Sequence, residues 1–526
     1  MCGFLAVTDS TIKEQTFLTG FDKLANRGPD ASRYEKTALG YLGFKRLAIM
    51  DQSDDGMQPF KVGSYSLICN GEIYSHAKIR NELNDENVFQ STSDCEVILP
   101  YYLEKGNQIF KELGSEFALV IFDYAHNEVI AARDPLGIRP LFYGYTKNKK
   151  IAFGSEVKAL QDFCEEVIPF PPGHYYEKGK FISYEDISKV DHYSTDNLNE
   201  AINNIHHLLT EAVIKKLDAD APIGFLLSGG LDSSLVCAIA QKELKKPIRT
   251  FAIGMKKDAI DLKYARMVAR HLNCQHTEFM MTTDEILSAL EEVIIATETY
   301  DITTIRASVG MYLICKKIKE TTDIKVLFTG EISDELFGYK YTDFAPNAEE
   351  FQKEAVKRIK ELYEYDVLRA DRCISENGLE GRVPFGDDDF VKYVMSINPE
   401  LKMNHYQMGK YLLREAFKEG NYLPKTILYR DKAAFSDAVG HSLVNDLKAY
   451  ADTLYTEEEF QAKIKKYSFN PPYTKESLLY RELFEKHYPN QDKLISAYWL
   501  PNQSWPGCKV NDPSARVLTN YGKSGE

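Results

Sequence analysis

The sequence is poor in the devices that hold a fold together from outside its core. Its nine cysteines are scattered singly from Cys2 to Cys508, with no C-x-x-C pair and no cysteine/histidine cluster. An odd count without such pairs argues against a disulfide framework and a zinc site, and points to a reducing cytosol. Apolar runs are short as well. "FALVIF" at Phe117–Phe122 is among the longest, far below the roughly 18 residues of a membrane span. No basic segment followed by an apolar one opens the chain, and "MCGF" has no glycine at position 2. Neither a secretory leader nor a myristoyl anchor is expected, and the cytoplasm is the expected location. A Walker A loop is also missing. The Gly-Lys-Ser at Gly522–Ser524 sits at the extreme C-terminus and reads as a disordered tail. The net charge of −14 disfavours nucleic acid as a partner, because phosphates would be repelled overall.

What is present is enough for several cores. At 526 residues, 44% hydrophobic and 27% charged, the chain should form two or three globular domains. Up to about Tyr184 it reads as short strands and turns. "SYSLICNGEIYSH" is a strand ending at Asn70-Gly71, "FALVIFDYAHNEVIAARD" a hairpin turning near Ala125–Asn127, and "KIAFGSEVKAL" a strand leading into a helix. This pattern predicts stacked antiparallel sheets under covering helices. The polar stretch Ser188–Glu200 reads as a linker. The pattern then changes. "APIGFLLSGGLDSSLVCAIAQKEL" is a strand, a Gly/Ser turn and a helix; "IRTFAIGM" is a second buried strand. The next helix places Ala265, Val268, Ala269 and Leu272 on one face. "DIKVLFTGEISDELFGY" repeats the unit. Strands alternating with helices predict a doubly wound parallel sheet that binds ligands beyond its strand ends. From about Asn347 the chain reads as mostly helical.

The string "LLSGGLDSS", Leu226–Ser234, carries the strongest chemical signal. Its glycines let backbone approach a phosphate, its serines add hydroxyl donors, and a helix starting near Asp232 points unpaired N–H groups at the same spot. Asp232 would repel bare phosphate but suits a Mg²⁺ ligand. "FTGEISDELFGY" brings Glu331, Asp334 and Glu335 to a neighbouring strand end. Asp232 and Asp334 are therefore expected to share Mg²⁺, leaving Glu331 free for proton transfer. Lys432, in "YRDKAAFSD", is either a surface lysine or a point charge for an adenylation transition state.

The first domain holds the parts of an amidase. If Met1 is removed, Cys2 carries a thiol and a free α-amine on one residue. A thiol pKa of about 8.5 beside an amine near about 7.7–8.0 allows a useful thiolate fraction. Asn70 and Gly71 follow a strand and can aim the amide and an N–H at an oxyanion. Arg46 could grip an α-carboxylate bidentately, with Glu72 and Asp94 taking an α-ammonium.

Together these strings resemble the glutamine-hydrolysing asparagine synthetases over nearly the whole length. The carrying motifs are "MCG", "RGPD", "RLAI", "NGEIYSH", "SDCEVI", "RDPLGIRPL" and "SEVKAL", then "LLSGGLDSS", "ETYDITTIRAS", "GEISDE", "EGRVPF", "KYLLREAF", "RDKAAFSD" and "DPSARV". "SGGLDSS" alone is similar to the pyrophosphate loop of N-type ATP pyrophosphatases. The resemblance implies an N-terminal-nucleophile αββα glutaminase over residues 2–185, a linker at 186–204 and a synthetase domain over 205–526. It places glutamine contacts on Arg46, Leu47, Ala48, Ile49, Met50, Asn70, Gly71, Glu72 and Asp94. ATP contacts fall on Leu227, Ser228, Gly229, Gly230, Leu231, Asp232, Ser233, Ser234, Ile253, Thr329 and Gly330. Aspartate contacts fall on Thr303, Thr304 and Arg306, with Cys2, Glu331 and Lys432 serving the chemistry. ATP, Mg²⁺, glutamine and aspartate are the implied ligands, and a homodimer the implied assembly.

Four residues depart from the family strings. Asn26 precedes "RGPD" where a histidine is usual, and Phe44 stands where histidine is common. Ile332 replaces the glycine of "GEGSDE", and Gly386 stands in "VPFGD" where the family reads "VPFLD". A β-branched residue tolerates positive φ poorly, so the turn carrying Glu331 is expected to differ. Three alternatives stay open: a relative acting on another carboxylate, such as a β-lactam-forming synthetase; a non-catalytic sensor; and a glutaminase uncoupled from synthesis.

Overall fold

The computed structural model describes residues 1–83, 89–257, 259–431 and 440–522. Lys432 and the last residues of the Gly-Lys-Ser tail lie outside them. The first half stacks two six-stranded antiparallel sheets. One runs from edge to edge through Cys164–Pro169, Phe142–Thr146, Ile151–Gly154, Gly3–Val7, Tyr41–Arg46 and Ala31–Lys36. The other runs through Lys180–Ser183, His174–Glu177, Glu128–Arg133, Glu116–Asp123, Tyr65–Glu72 and Phe60–Val62. Strand alternation builds the layers. Phe4 and Ala6 point inward to meet Ile68, Val120 and Phe122 of the opposite sheet. Their neighbours Leu5 and Val7 point outward onto Phe17, Phe21, Val157 and Leu160 of the helices Glu14–Asp22 and Val157–Leu160. On the far side Leu67, Leu119 and Ile121 pack against Ile79, Ile98 and Leu99. The result is the αββα sandwich expected for the first domain. Phe44, one of the four departures, is an ordinary member of the inter-sheet core.

The second half is built on a five-stranded, all-parallel sheet in the order Gln275–Met281, Arg249–Met255, Ile223–Leu226, Val326–Phe328, Glu380–Arg382. The chain lays its first strand in the middle, adds two on one side, then returns to add two on the other. The reversal falls between Ile223–Leu226 and Val326–Phe328, which is where an open α/β sheet leaves a crevice. Both acid-bearing turns open into it. Ala265, Val268, Ala269 and Leu272 are all buried on the helix Asp261–Leu272.

Two expectations are corrected. The helix Leu198–Lys215 starts inside the expected linker, fixed by a capping box in which Asn197 and Glu200 exchange hydrogen bonds; the polar residues read as linker were its cap and solvent face. The strand Glu380–Arg382 falls in the stretch read as helical. At three residues it shows no period, and it exists because Val326–Phe328 offers a parallel edge. Among the described residues no helix is long and apolar enough to cross a membrane.

Candidate active site

Cys2 opens the central strand of the first sheet. Its thiol donates to the Leu47 carbonyl at 3.5 Å and accepts from the Leu47 N–H at 3.4 Å. Its own carbonyl is held by Arg27 Nε at 2.8 Å. Arg27, from "RGPD", is wholly buried and anchored on Glu156 (2.8 Å) and Asp371 (2.8 Å). Sequence reasoning gave it no role; only tertiary packing shows that it holds the Cys2 backbone in place. Met1 is present, and its buried amine donates to Leu379 O at 2.7 Å. Burial lowers that amine to about 5 and, as the largest of several causes, pushes the Cys2 thiol up to about 11.

On the facing sheet, Asn70 is 1% exposed. Its side-chain Nδ2 is buried with no hydrogen-bond partner among the described residues. A buried amide donor left open is costly, and is what an oxyanion site requires before its substrate arrives. Gly71 beside it admits no side chain, because a Cβ would lie 2.6 Å from the Glu116 carbonyl. Glu72 and Asp94 are both buried, and burial raises both carboxyls above their ordinary range. Glu72 pairs with Arg382 at 2.9 Å, and Asp94 accepts from the Ile73 N–H at 2.6 Å. Arg46 departs from expectation. Its guanidinium donates to the carbonyls of Met50, Asp51 and Ser53, tying down its own loop instead of facing an open site. Leu47, Ala48 and Ile49 are buried and Met50 is partly exposed. Ala48 donates its N–H to Asp30 at 2.8 Å.

A cavity of about 240 Å³ fills the crevice of the second domain. Leu227, Ser228, Gly230, Leu231, Asp232, Ser233 and Ile253 line it on one side. Thr329, Gly330, Glu331, Asp334, Thr303 and Arg306 line the other. The two turns abut: a Cβ on Gly330 would lie 2.7 Å from the Ser233 nitrogen. Gly229 has φ +78° and a Cβ there would lie 2.4 Å from the Ala265 nitrogen, so only glycine fits. The helix Leu231–Leu244 starts at Gly230 without a side-chain cap, which leaves its first N–H groups open to an anion. Thr329 Oγ1 is buried without a hydrogen-bond partner among the described residues.

Three expected contacts are absent from the lining. Ser234 is fully buried behind the loop, and Thr304 is taken up by the Asp301 cap through its N–H (2.8 Å) and hydroxyl (2.9 Å). Gly229 is also outside the lining, turning its carbonyl to Arg430 at 3.1 Å.

The acids converge, and a cation already lies between them. Lys410 Nζ is 2.8 Å from Asp232 Oδ1 and 2.6 Å from Asp334 Oδ1. Ser333 donates to Asp232 Oδ1 at 2.8 Å. Among the described residues no group of three His, Cys, Asp or Glu side chains is arranged to hold a metal. Two carboxylates converging on one cation suit Mg²⁺, which completes its shell with water and substrate phosphates. Glu331 is not free as expected: Arg369 Nη2 lies 2.6 Å from its carboxylate. Arg306 is likewise engaged, by Glu476 (2.6 Å) and Asp512 (2.9 Å). Asn26 donates to Glu376 at 2.6 Å on the surface.

Ile332 corrects the expectation about its turn. It takes φ 78°, ψ −20°, the left-handed conformation a glycine would adopt, and its side chain is 1% exposed. Burial offsets a backbone cost of about 1–3 kcal/mol.

A family model described as "Glutamine amidotransferase domain" matches residues 1–175, and one described as "Asparagine synthase" matches 204–349 and 340–510. A probable glutamine-hydrolysing asparagine synthetase of Acanthamoeba polyphaga mimivirus is 42% identical, covering 98% of this chain and 100% of its own. The human glutamine-hydrolysing asparagine synthetase is 41% identical, covering 99% of each. With both domain models matched in order and such relatives spanning the whole length, the chain belongs to the family of glutamine-hydrolysing asparagine synthetases.

Proposed function

We propose that this chain makes L-asparagine from L-aspartate and ATP, with ammonia taken from L-glutamine, releasing glutamate, AMP and pyrophosphate. In the first domain the Cys2 sulfur attacks the glutamine side-chain amide. Asn70 Nδ2 and the Gly71 N–H receive the oxyanion, ammonia leaves, and water resolves the thioester. The residue's own α-amine acts as base, which requires Met1 to be absent from the working enzyme. Glu72 and Asp94 take the substrate's α-ammonium, with Leu47, Ala48, Ile49 and Met50 as the wall. Arg46 binds the α-carboxylate by giving up carbonyls of its own loop.

In the second domain the loop Ser228–Ser233 and the start of its helix cradle the phosphates, while Leu227, Ile253, Thr329 and Gly330 hold the nucleoside. Asp232 and Asp334 would hold Mg²⁺, which supplies charge neutralisation for the departing pyrophosphate. Thr303 and Arg306 receive aspartate, whose β-carboxylate attacks the α-phosphorus. Glu331 moves a proton during the attack of ammonia on the β-aspartyl-AMP, and Lys432 stabilises charge.

The observation that carries this reading is the open Asn70 Nδ2 donor in one domain and the acid pair at a phosphate loop in the other. Purified protein given glutamine, aspartate, ATP and Mg²⁺ should yield asparagine, AMP and pyrophosphate. ADP and phosphate in their place would reject it.

A further inference from the structure

Two departures from the family strings meet in space. Gly386 lies in the turn Pro384–Gly386 and is absent from the residues with positive φ, so backbone geometry does not call for glycine there. Space does. A Cβ on Gly386 would lie 2.7 Å from Ile332 Cδ1 and 2.9 Å from Ile138 Cδ1, with Leu136 Cδ1 at 3.5 Å. Ile332 shows the opposite: its backbone suits glycine and its side chain fills the room Gly386 leaves. Volume has been exchanged between the two positions, since a core at native density cannot hold a side chain at both.

The place matters because of what the pair joins. Ile332 lines the synthetase cavity immediately after Glu331. Leu136 and Ile138 belong to the glutaminase domain. Their loop is held rigid by Asp134, which accepts the N–H groups of Leu136 (3.1 Å), Ile138 (2.9 Å) and Arg139 (2.9 Å). Ile332, Leu136, Ile138, Leu47 and Leu227 all belong to one large apolar cluster, with Cys2 packed against it. Leu47 is the residue bonded to the Cys2 sulfur. One apolar cluster therefore borders both the thiol and the cavity. An apolar lining of this kind disfavours ammonium, which would be stripped of solvent, far more than neutral ammonia.

Building on the two-reaction scheme proposed above, we infer that the Ile332 side chain, seated over Gly386, is the constriction through which ammonia enters the synthetase cavity. The Ile332/Gly386 exchange thereby sets how tightly the two reactions are coupled. Ile332 is a positioning residue: it touches the route, not the reacting bonds.

The test supplies glutamine labelled with heavy nitrogen in its amide, together with unlabelled ammonium, aspartate, ATP and Mg²⁺. It reads two quantities, the glutamate-to-asparagine ratio and the fraction of asparagine carrying the label. Ile332→Gly should raise the ratio about threefold or more and lower the labelled fraction, because the vacated volume admits water and ammonium. Gly386→Leu should cut glutamine-supported synthesis roughly tenfold, by driving Ile332 toward the cavity. The double variant Ile332→Gly/Gly386→Leu should return both readouts to within about twofold of the parent, which a fold-destroying change could not do. Single variants with unchanged ratio and label, or a double variant that rescues nothing, would overturn the inference. A parent protein that makes no asparagine at all would instead reject the two-reaction scheme, and this inference with it.

Discussion

The two halves prepare their sites in opposite ways. In the glutaminase half the groups around Cys2 are fixed by buried backbone and side-chain bonds, and the Asn70 Nδ2 donor has no partner among the described residues. In the synthetase half charged groups face one another: Lys410 sits between Asp232 and Asp334, Arg369 holds Glu331, and Arg306 is clasped by Glu476 and Asp512. The difference suits the proposed substrates. A primary amide is neutral, so a rigid pocket with one unmet hydrogen bond can wait for it at modest cost. A nucleotide brings several negative charges, and the side chains that meet it cannot stay buried unpaired. Under the proposed function they neutralise one another until phosphates and Mg²⁺ would exchange partners with them.

The contrast can be broken at several points. The largest expected effect is from Cys2→Ala, which should reduce glutamine-supported asparagine formation by about 10³-fold or more, the loss confined to the glutamine-dependent route. Next are Asn70→Ala and Lys410→Met, compared directly. Asn70→Ala should cost about 10²–10³ in glutaminase kcat with little change in urea midpoint, since its Nδ2 makes no bond to lose. Lys410→Met should lower pyrophosphate release by about 10²-fold and also destabilise the fold by about 3 kcal/mol, because Asp232 and Asp334 lose the buried cation that lies between them. Equal losses of stability in the two variants would erase the distinction between an open and a self-paired site.

The smallest effect tests what the synthetase half does with a cation that lacks such pairing. Lys402 is buried against Gln352 Oε1 (3.1 Å) and the Val394 carbonyl (3.0 Å), and burial pushes its amine down to about 7. Unfolded, it keeps its proton up to about 10.4. Between these values the unfolded chain binds the extra proton, so stability rises with pH from about 7 to about 10 and this contribution is lost as pH falls toward 7. Lys402→Met should flatten that slope by roughly 2 kcal/mol across the window, read from urea midpoints at several pH values.

Much of this was legible in residues. Alternation marked the strand that carries Asn70, and the buried run before "SGGLDSS" marked the central parallel strand, because local patterning and turn chemistry act over a few positions. The strand Glu380–Arg382 escaped, since three residues carry no period and its partner lies over fifty positions earlier. The turn at Ile332 was read through the residue's own propensity, which a tightly filled site overrode.

Order along the chain was thus sufficient to name the family and to pick out many of the residues that line the synthetase cavity, since each motif is a short string with its own backbone geometry. Which charges pair was decided by the fold alone. Arg27 reaching Asp371, Lys410 joining Asp232 to Asp334, and Ile332 filling the room over Gly386 all link positions far apart in sequence. Such contacts depend on how distant segments pack, within a domain or between the two, and no local propensity encodes that distance.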